Sequence, residues 1–356
     1  MERKDPEVAY QYNLNDSTYP RGKARTVPIT NSCNRPYKTV TIDMYTNCML
    51  CVCDGWLPKT VGEITDFDKL EDIWNNQIAQ EIQQDILDKK FTWCAVEHCG
   101  VPYHSNYESA YQLIFGIDDS CNLRCPSCRR EQRMHVEGPL YEKKLKAVKH
   151  TVALLENFEP KIHITLACSG DPLASHIYRP LLHSYVPKPS QTFTLFTNGL
   201  LIKKQLDKTA LFKRVTEYRI SVDAGSKEVY ETTRIGGDWN ILMENFDFLK
   251  EKNLSDRVHL QFVVQKKNYQ DIPNFIKLCE KYNFRASLSQ LDDWGTWNNG
   301  ASTYPDTWTI ANGTFADHDV LVSTHPEHIQ CKNLIESIEF PRYIQLTPRL
   351  RSLLNL

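Results

Sequence analysis

The sequence predicts an α/β fold: a partial, TIM-like (β/α)6 barrel preceded by a smaller, cysteine-rich α+β module made of a β-hairpin and a helix. After residue 105, six apolar β-type runs alternate with helical stretches, the pattern of a parallel sheet connected by helices. A chain of 356 residues accommodates a barrel of about 200 to 250 residues plus a module of about 100. Because active sites of such barrels lie at the carboxyl ends of the strands, motifs that directly follow a strand are the candidates for chemistry.

The predicted elements set the domain boundaries. The six barrel strands are YQLIFGID, HITLA, TFTLFT, EYRISVD, VHLQFVV and RASLSQL, with helices expected near 140–157, 238–252 and 271–282. Upstream, KTVTID and CMLCVCDGW predict the hairpin, and a helix follows near 68–88. We therefore predict a module at 1–105, the barrel at 106–292, and a C-terminal extension at 293–356 that could cover the barrel mouth.

Composition narrows the class of protein. Lys plus Arg (42) nearly balances Asp plus Glu (44), so the net charge of −2 gives no basic excess that would favour nucleic-acid binding. The mean hydropathy of −0.48 and the lack of a long apolar run argue against a membrane span or a secretory signal, and we predict a cytoplasmic protein. In a reducing compartment, twelve cysteines indicate metal ligands, catalytic thiols or buried small residues more than disulfides.

Three of these cysteines lie on one loop, SCNLRCPSCRR, directly after the first barrel strand: Cys121, Cys125 and Cys128. The spacing Cys-x3-Cys-x2-Cys can hold three corners of an iron–sulfur cubane and leave the fourth iron open for a substrate. Zinc would require a fourth protein ligand, or an imidazole and a water, and this loop contains no histidine. The loop predicts an iron–sulfur cluster, with zinc or packing thiols as alternatives.

The cysteine loop resembles the signature of the radical S-adenosylmethionine (radical SAM) enzymes, and the resemblance extends over about residues 110–290. It implies that Cys121, Cys125 and Cys128 hold a [4Fe-4S] cluster whose fourth iron chelates S-adenosylmethionine (SAM). It also implies reductive cleavage of SAM to a 5′-deoxyadenosyl radical that abstracts hydrogen from a substrate carbon, with flavodoxin or ferredoxin as electron donor. Ser127 departs from the aromatic residue often found before the third cysteine, which leaves adenine packing to other residues.

Three further motifs after the strands are similar to SAM-binding elements of that family, and a Thr-Asn-Gly turn after another strand allows close approach to a ligand. Ser-Gly-Asp-Pro at 169–172 looks like the Gly-Gly-Glu-Pro element, with an acid one methylene shorter. Asn198 lies in a Thr-Asn-Gly turn, ISVDAG is similar to the Ser-Leu-Asp-Gly element, and an arginine stands eleven residues further on. Ordinary turns and a surface salt bridge are the alternatives. The resemblance implies a SAM-binding set of Ser169, Gly170, Asp171, Asn198, Ser221, Asp223 and Arg234.

The first 105 residues resemble the twitch or SPASM module, which carries an auxiliary cluster. They contain a cysteine before a Pro-Tyr step, a cysteine beyond a hairpin turn, an Ile-Trp-Asn helix and a closing cysteine pair. Two features depart from the usual pattern of this module. It precedes the barrel instead of following it, and Thr46 occupies the position where the hairpin glycine is expected. A structural zinc is the alternative to a second [4Fe-4S] cluster. The predicted ligands are Cys33, Cys51, Cys94 and Cys99, with Cys48 and Cys53 as alternates.

An auxiliary cluster indicates the outcome of the reaction. If it accepts the electron left on a substrate radical, the net reaction is a two-electron oxidation, either a dehydrogenation or a cross-link, and we predict a radical SAM oxidoreductase. A thiol hydrogen donor would instead make an epimerase; Cys331 is the first candidate, although a buried structural thiol is its ordinary role. A zinc-stabilised or non-catalytic binding protein is a further alternative. The substrate, a peptide or a small molecule such as a sugar, is left open.

Overall fold

The computed structural model describes residues 33–52, 57–94, 110–166, 170–206, 208–292 and 313–356. Within these ranges ten strands form one sheet. They are β1 (Thr39–Ile42), β2 (Asn47–Met49), β3 (Thr60–Glu63), β4 (Tyr111–Phe115), β5 (Ile162–Leu166), β6 (Gln191–Thr197), β7 (Val215–Ser221), β8 (Val258–Val264), β9 (Arg285–Gln290) and β10 (Ile344–Leu346). The order across the sheet is β10-β9-β8-β7-β6-β5-β4-β1-β2-β3.

Strands β4 to β9 are the six predicted barrel strands, and each pairs in parallel with the next. Alternate residues are buried along them, as in β8, where every second side chain from Val258 to Val264 lies in the core. The expected α/β architecture with a mainly parallel sheet is therefore confirmed. All six strands end at the same edge of the sheet, which places the motifs that follow them close together.

Helices connect most of the successive strands. They are α4 (Pro139–Asn157), α5 (Ile202–Leu206), α6 (Lys227–Thr233), α7 (Trp239–Glu251) and α8 (Ile272–Tyr282). The long ones begin with recognisable signals, since Pro139 opens α4 and the Asp238 carboxylate caps α7 by accepting from two backbone N–H groups. Between β5 and β6 the sequence predicts a further helix, but the described residues form turns and a single short helical turn at Pro180–Ser184.

The N-terminal part adds to the same sheet. Helix α1 (Arg35–Lys38) leads into β1, which pairs with β2 as the predicted hairpin and with β4 in parallel. The predicted helix near 68–88 is two helices, α2 (Asp72–Asn75) and α3 (Gln77–Leu87). They are separated at Asn76, whose side chain caps α3 by accepting from the Ala79 N–H.

The hairpin turn is built without the expected glycine. The Asp43 carboxylate accepts hydrogen bonds from the backbone N–H groups of Tyr45 and Asn47, which shapes the turn. Thr46 is buried and adopts a φ of 75°, in the left-handed region where a β-branched residue is strained. Its hydroxyl donates to Glu63 at 3.1 Å, a contact that a glycine could not make.

The C-terminal extension is folded where it is described. Residues 293–312, interpreted from sequence as a loop over the barrel mouth, lie outside the described ranges. From residue 313 the chain forms helices at Phe315–His318, His328–Ser337 and Pro348–Leu354, and strand β10, which extends the sheet beyond β9. No helix in the described part of the chain is long and apolar enough to cross a bilayer.

Candidate active site

The three-cysteine loop begins just beyond the carboxyl end of β4. The Cys121 N–H donates to the Arg133 carbonyl at 2.8 Å, so that the loop returns alongside its own start. The N–H groups of Cys128 and Arg129 both donate to the Cys125 carbonyl, at 2.9 and 3.0 Å, and close a tight turn. Main-chain hydrogen bonds therefore fix the loop that carries the three thiols.

N–H groups contact the sulfurs of the first two cysteines. Cys121 Sγ accepts from the Leu123 N–H at 3.4 Å and lies 4.0 Å from Asn198 Nδ2 at the end of β6. Cys125 Sγ lies 3.8 Å from Arg234 Nη1, at the carboxyl end of α6. Hydrogen bonds to sulfur stabilise thiolates and tune the clusters that they ligate.

The third cysteine, Cys128, is exposed and is contacted by its neighbour. Arg129 Nη2 lies 3.7 Å from Cys128 Sγ, and Nη1 of the same guanidinium donates to the Asp119 carbonyl at 2.7 Å. All three sulfurs of the loop thus have an N–H donor within 4.0 Å. This donor set fits three thiolates bound to an iron–sulfur cluster.

Burial alone would keep the inner thiols protonated. It raises the pKa of Cys121 to about 11, and it also raises the pKa of Cys125. Coordination to a cationic cluster removes such protons, because a metal ligand must be a thiolate. Without a bound metal, the two inner sulfurs are therefore poor nucleophiles at neutral pH.

A buried charge cluster precedes the loop and was not predicted. The Asp119 carboxylate contacts His135 Nε2 at 2.7 Å, Arg133 Nη1 at 3.0 Å and Lys144 Nζ at 3.2 Å. Burial opposes ionisation, but Lys144, Arg133 and His135 together outweigh it and hold the pKa of Asp119 well below its usual range. The sequence signal was the acidic pair Asp118-Asp119 at the end of an apolar run.

The carboxylates and the histidine of this charge cluster are spaced closely enough to bind a metal ion, but a buried lysine already balances their charge. Among the described residues, Asp118, Asp119 and His135 form the one group of three or more His, Cys, Asp or Glu residues whose ligand atoms lie within 4.8 Å of one another. Lys144 Nζ, 2% exposed, lies 3.7 Å from Asp118 and 3.2 Å from Asp119 and supplies the balancing positive charge. The arrangement is an ion-pair network that anchors the loop.

The segment after β5 packs directly on the cysteine loop. Ser169 lies outside the described residues. Gly170 approaches the loop so closely that a Cβ would lie 2.6 Å from the Asp119 carbonyl carbon and nearer still to the Ser120 oxygen. The Asp171 N–H donates to the same Ser120 carbonyl at 2.8 Å. The glycine is therefore required by contact between the two loops.

The Asp171 carboxylate is buried and used within the protein. Oδ1 accepts from the Leu173 N–H at 2.9 Å, while Oδ2 accepts from Thr197 Oγ1 at 2.8 Å and from the Asn198 N–H at 2.7 Å. These bonds join the loop after β5 to the end of β6. Asn198 then continues to the cysteine loop, where its Nδ2 donates to Asn122 Oδ1 at 2.8 Å.

The two charged residues predicted after β7 contact each other. Asp223 is buried with a φ of 56°; its Oδ1 accepts from the Val263 N–H at 2.8 Å, and its Oδ2 lies 2.6 Å from Arg234 Nη2. Burial disfavours the guanidinium charge, but the Asp223 carboxylate and the Cys125 thiol outweigh it and raise the pKa of Arg234. Ser221 lies beside them on β7, and its hydroxyl donates to Gln261 Oε1 at 3.3 Å.

Four of the N-terminal cysteines are described, and Cys53 and Cys99 lie outside the described residues. Cys33 and Cys51 are buried, and Cys94 is half-buried. Cys48 is fully buried, and burial together with Asp43, Asp66 and Glu63 raises its pKa strongly. In the described part of the chain, no three of these thiols lie within 4.8 Å of one another, as a mononuclear zinc site would require. Cubane ligands bind different irons and lie farther apart, so this spacing does not test a second cluster.

The predicted hydrogen donor lies in the core. Cys331 has no exposed surface, and burial raises its pKa to about 12. Cys279 on α8 is buried in the same way, while Cys168 lies outside the described residues. The tail histidines that could supply a general base, His318, His325 and His328, are buried as well.

The fold and site together define an α/β protein with a thiol site suited to an iron–sulfur cluster. Residues 118–279, somewhat less than half of the chain, match the family model of the Radical SAM superfamily. No curated protein matches the sequence.

Several solved structures are similar over part of their length. TYW1 with a lysine-pyruvate adduct bound is 20% identical, with 48% of this chain and 61% of that chain covered and a TM-score of 0.32. Native anSMEcpe with bound AdoMet is 18% identical, with 55% and 56% covered and a TM-score of 0.37. A radical SAM methyltransferase from Sphaerobacter thermophilus is 13% identical, with 58% of each chain covered and a TM-score of 0.34. The chain thus spans less than two thirds of each of these proteins, and the likeness carries no information on reaction or substrate.

Proposed function

We propose that this protein is a radical SAM oxidoreductase acting on a peptide or a small molecule, with Cys121, Cys125 and Cys128 as the ligands of its catalytic [4Fe-4S] cluster. The observation that carries the proposal is the N–H donor at each of the three sulfurs, on a loop at the carboxyl end of a parallel strand. When bound and reduced, the cluster and SAM supply a 5′-deoxyadenosyl radical that takes a hydrogen atom from a substrate carbon.

The side chains around the loop would bind SAM in different ways. Nη2 of Arg234 contacts the Asp223 carboxylate, whereas Nε of the same guanidinium is buried and has no hydrogen-bond partner within the described residues. A buried donor of this kind is suited to the SAM carboxylate. The Asp171 oxygens already accept from three donors within the protein, so we assign the SAM ammonium to the backbone carbonyl of Gly170 rather than to that carboxylate.

The remaining proposed SAM contacts come from the ends of β6 and β7. Asn198 spans from the Asp171 carboxylate to the cysteine loop, so it can hold a ligand group against that loop. Ser221 is half-buried, and its hydroxyl oxygen retains acceptor capacity while its proton is donated to Gln261. We assign Ser221 and Asp223 to the ribose and methionine portions of SAM.

An N-terminal second cluster would make the net reaction an oxidation. We assign its ligands to Cys33, Cys51, Cys94 and Cys99, with Cys48 and Cys53 as alternates. The substrate would first lose a hydrogen atom to the 5′-deoxyadenosyl radical. It would then lose a proton to a base and one electron to the N-terminal module, which completes a two-electron dehydrogenation or cross-link.

The alternatives have less support. An epimerase requires a thiol that reaches the substrate, and Cys331 has no exposed surface. A zinc-stabilised N-terminal module would leave the barrel chemistry intact but would remove the electron acceptor. We expect flavodoxin or ferredoxin to deliver the first electron.

Anaerobic reconstitution of the full chain tests the proposal. We expect about eight irons per chain, four for each cubane, and 5′-deoxyadenosine when SAM and dithionite are added. Cys125→Ala should abolish 5′-deoxyadenosine formation, whereas Cys94→Ala should halve the iron content and preserve SAM cleavage. Binding of SAM without cleavage under every reductant would refute the catalytic proposal. One zinc and about four irons in an untreated preparation would refute the auxiliary cluster alone.

A further inference from the structure

Arg129 joins the exposed cysteine of the loop to the start of that loop. Its Nη1 donates to the Asp119 carbonyl at 2.7 Å, and its Nη2 lies 3.7 Å from Cys128 Sγ. One planar guanidinium therefore spans a main-chain acceptor and a thiol sulfur, which a lysine ammonium cannot do with the same geometry.

The acceptor that holds this guanidinium is itself fixed. Asp119 is buried, and Lys144, Arg133 and His135 contact its carboxylate at 2.7 to 3.2 Å. Lys144 belongs to the 19-residue helix α4, so the anchor is tied to a regular element of the barrel. Arg129 consequently approaches Cys128 from a preorganised position, with little freedom left to lose.

Cys128 is the thiol that most needs such a contact. Cys121 and Cys125 are buried, while Cys128 is exposed to water. Net charge, hydrogen bonds to sulfur and solvent exposure together set the reduction potential of an iron–sulfur cluster. A cation held at the exposed sulfur favours the reduced cluster, which carries one more negative charge, and it shields this corner from hydrolysis.

We propose that Arg129 is a positioning residue that holds the Cys128 thiolate in place and raises the reduction potential of the cluster bound by the three-cysteine loop. The inference rests on the proposed function, because it requires a cluster on that loop. It assigns Arg129 a role in electron entry and in cluster retention, and no contact with the substrate.

The test compares Arg129→Gln and Arg129→Lys with Arg124→Gln in the full, reconstituted chain. Arg124 is an exposed arginine of the same loop and serves as the matched control for charge. Redox titration followed by electron paramagnetic resonance gives the potential of the cluster whose signal changes on adding SAM. Incubation with an iron chelator gives the rate of cluster loss, and circular dichroism verifies the fold.

Arg129→Gln should shift the potential to more negative values and speed iron loss by about 10-fold to 100-fold, the usual effect of removing a contact to a metal ligand. Arg129→Lys keeps the positive charge, so it should shift the reduction potential less than Arg129→Gln does, but it should lose iron equally fast. Arg124→Gln should change neither the potential nor the rate of iron loss. If Arg129→Gln matches Arg124→Gln in both measurements, the inference is wrong while the proposed function stands. If the unmodified chain binds no iron on this loop, both the inference and the proposed function are wrong.

Discussion

Oδ2 of Asp223 lies 2.6 Å from Nη2 of Arg234, and the other terminal nitrogen of that guanidinium lies 3.8 Å from Cys125 Sγ. The pair joins the end of β7 to the end of α6 and connects both to the cysteine loop. Asp223 reaches this position through a left-handed backbone, which an aspartate tolerates better than most residues. The pair therefore holds Cys125 against the ends of β7 and α6.

Removal of the guanidinium should destabilise the protein strongly. Arg234→Gln leaves Asp223 buried without its counterion, which typically costs about 3 to 5 kcal/mol. Urea unfolding of the full chain measures the free energy of unfolding. Asp223→Asn combined with Arg234→Gln should recover much of the loss, because no lone buried charge remains. Strictly additive losses in the double variant would contradict the ion pair.

Asp119 should make stability depend on pH. Its folded-state pKa is held below the unfolded value of about 3.9, so its contribution is complete at neutral pH and is lost as pH falls through about 4 and below. Asp119→Asn should be less stable than the unmodified chain by about 3 kcal/mol at pH 7. Urea unfolding at pH 7, 4 and 3 should show this gap narrow at the lowest pH. A gap that is constant or widens towards acid would be inconsistent with the ion-pair network.

Gly170 should tolerate no side chain. A Cβ there would overlap the backbone of Asp119 and Ser120, so Gly170→Ala should push the two loops apart and lower iron retention as well as stability. Gly138→Ala is the matched control, because that glycine has a φ of 92° but no atom within 4 Å of the point that a Cβ would occupy, and it should cost only about 1 kcal/mol. Equal effects of the two variants on iron content would argue against the close packing.

Restoring the family's longer acid should harm this protein. Asp171 is fitted to three donors, so Asp171→Glu adds a methylene to a buried site and should cost about 1 to 3 kcal/mol. It should also fail to tighten SAM binding, measured by isothermal titration with the reconstituted chain. Asp171→Asn serves as the comparison, since it keeps the length but presents an amide N–H to donors. Tighter SAM binding in Asp171→Glu would show that the carboxylate contacts SAM.

The sequence predicted the regular part of the fold well. Strands such as β8 alternate buried and half-buried residues, and α7 begins at a capping aspartate, so local patterns were sufficient. Strand β10 has only three residues, too few to show a period. The parallel pairing of β1 with β4 joins residues about seventy positions apart, and local patterns hold no signal for such a partner.

The sequence predicted the cysteines of the site but not the side-chain contacts that hold the cysteine loop in place. The spacing of the three thiols is a local signal, whereas Lys144 meets Asp119 across 25 residues of chain. Asp223 and Arg234 were expected to contact SAM separately, and the structure pairs them with each other. Charged side chains carry no periodic signal, so their partners become visible only when the strand ends are assembled.

Because β1 pairs with β4, the N-terminal part protects the edge of strand β4, in addition to its proposed role as electron acceptor. Four residue pairs join the two strands in register, from Thr39 with Gln112 to Ile42 with Phe115. Cutting the gene at the predicted boundary near residue 105 would leave β4 as an open strand edge, ready to pair with another chain. The strand that would be exposed is the one that leads into the cysteine loop, so a shortened barrel is expected to aggregate along the edge next to that loop.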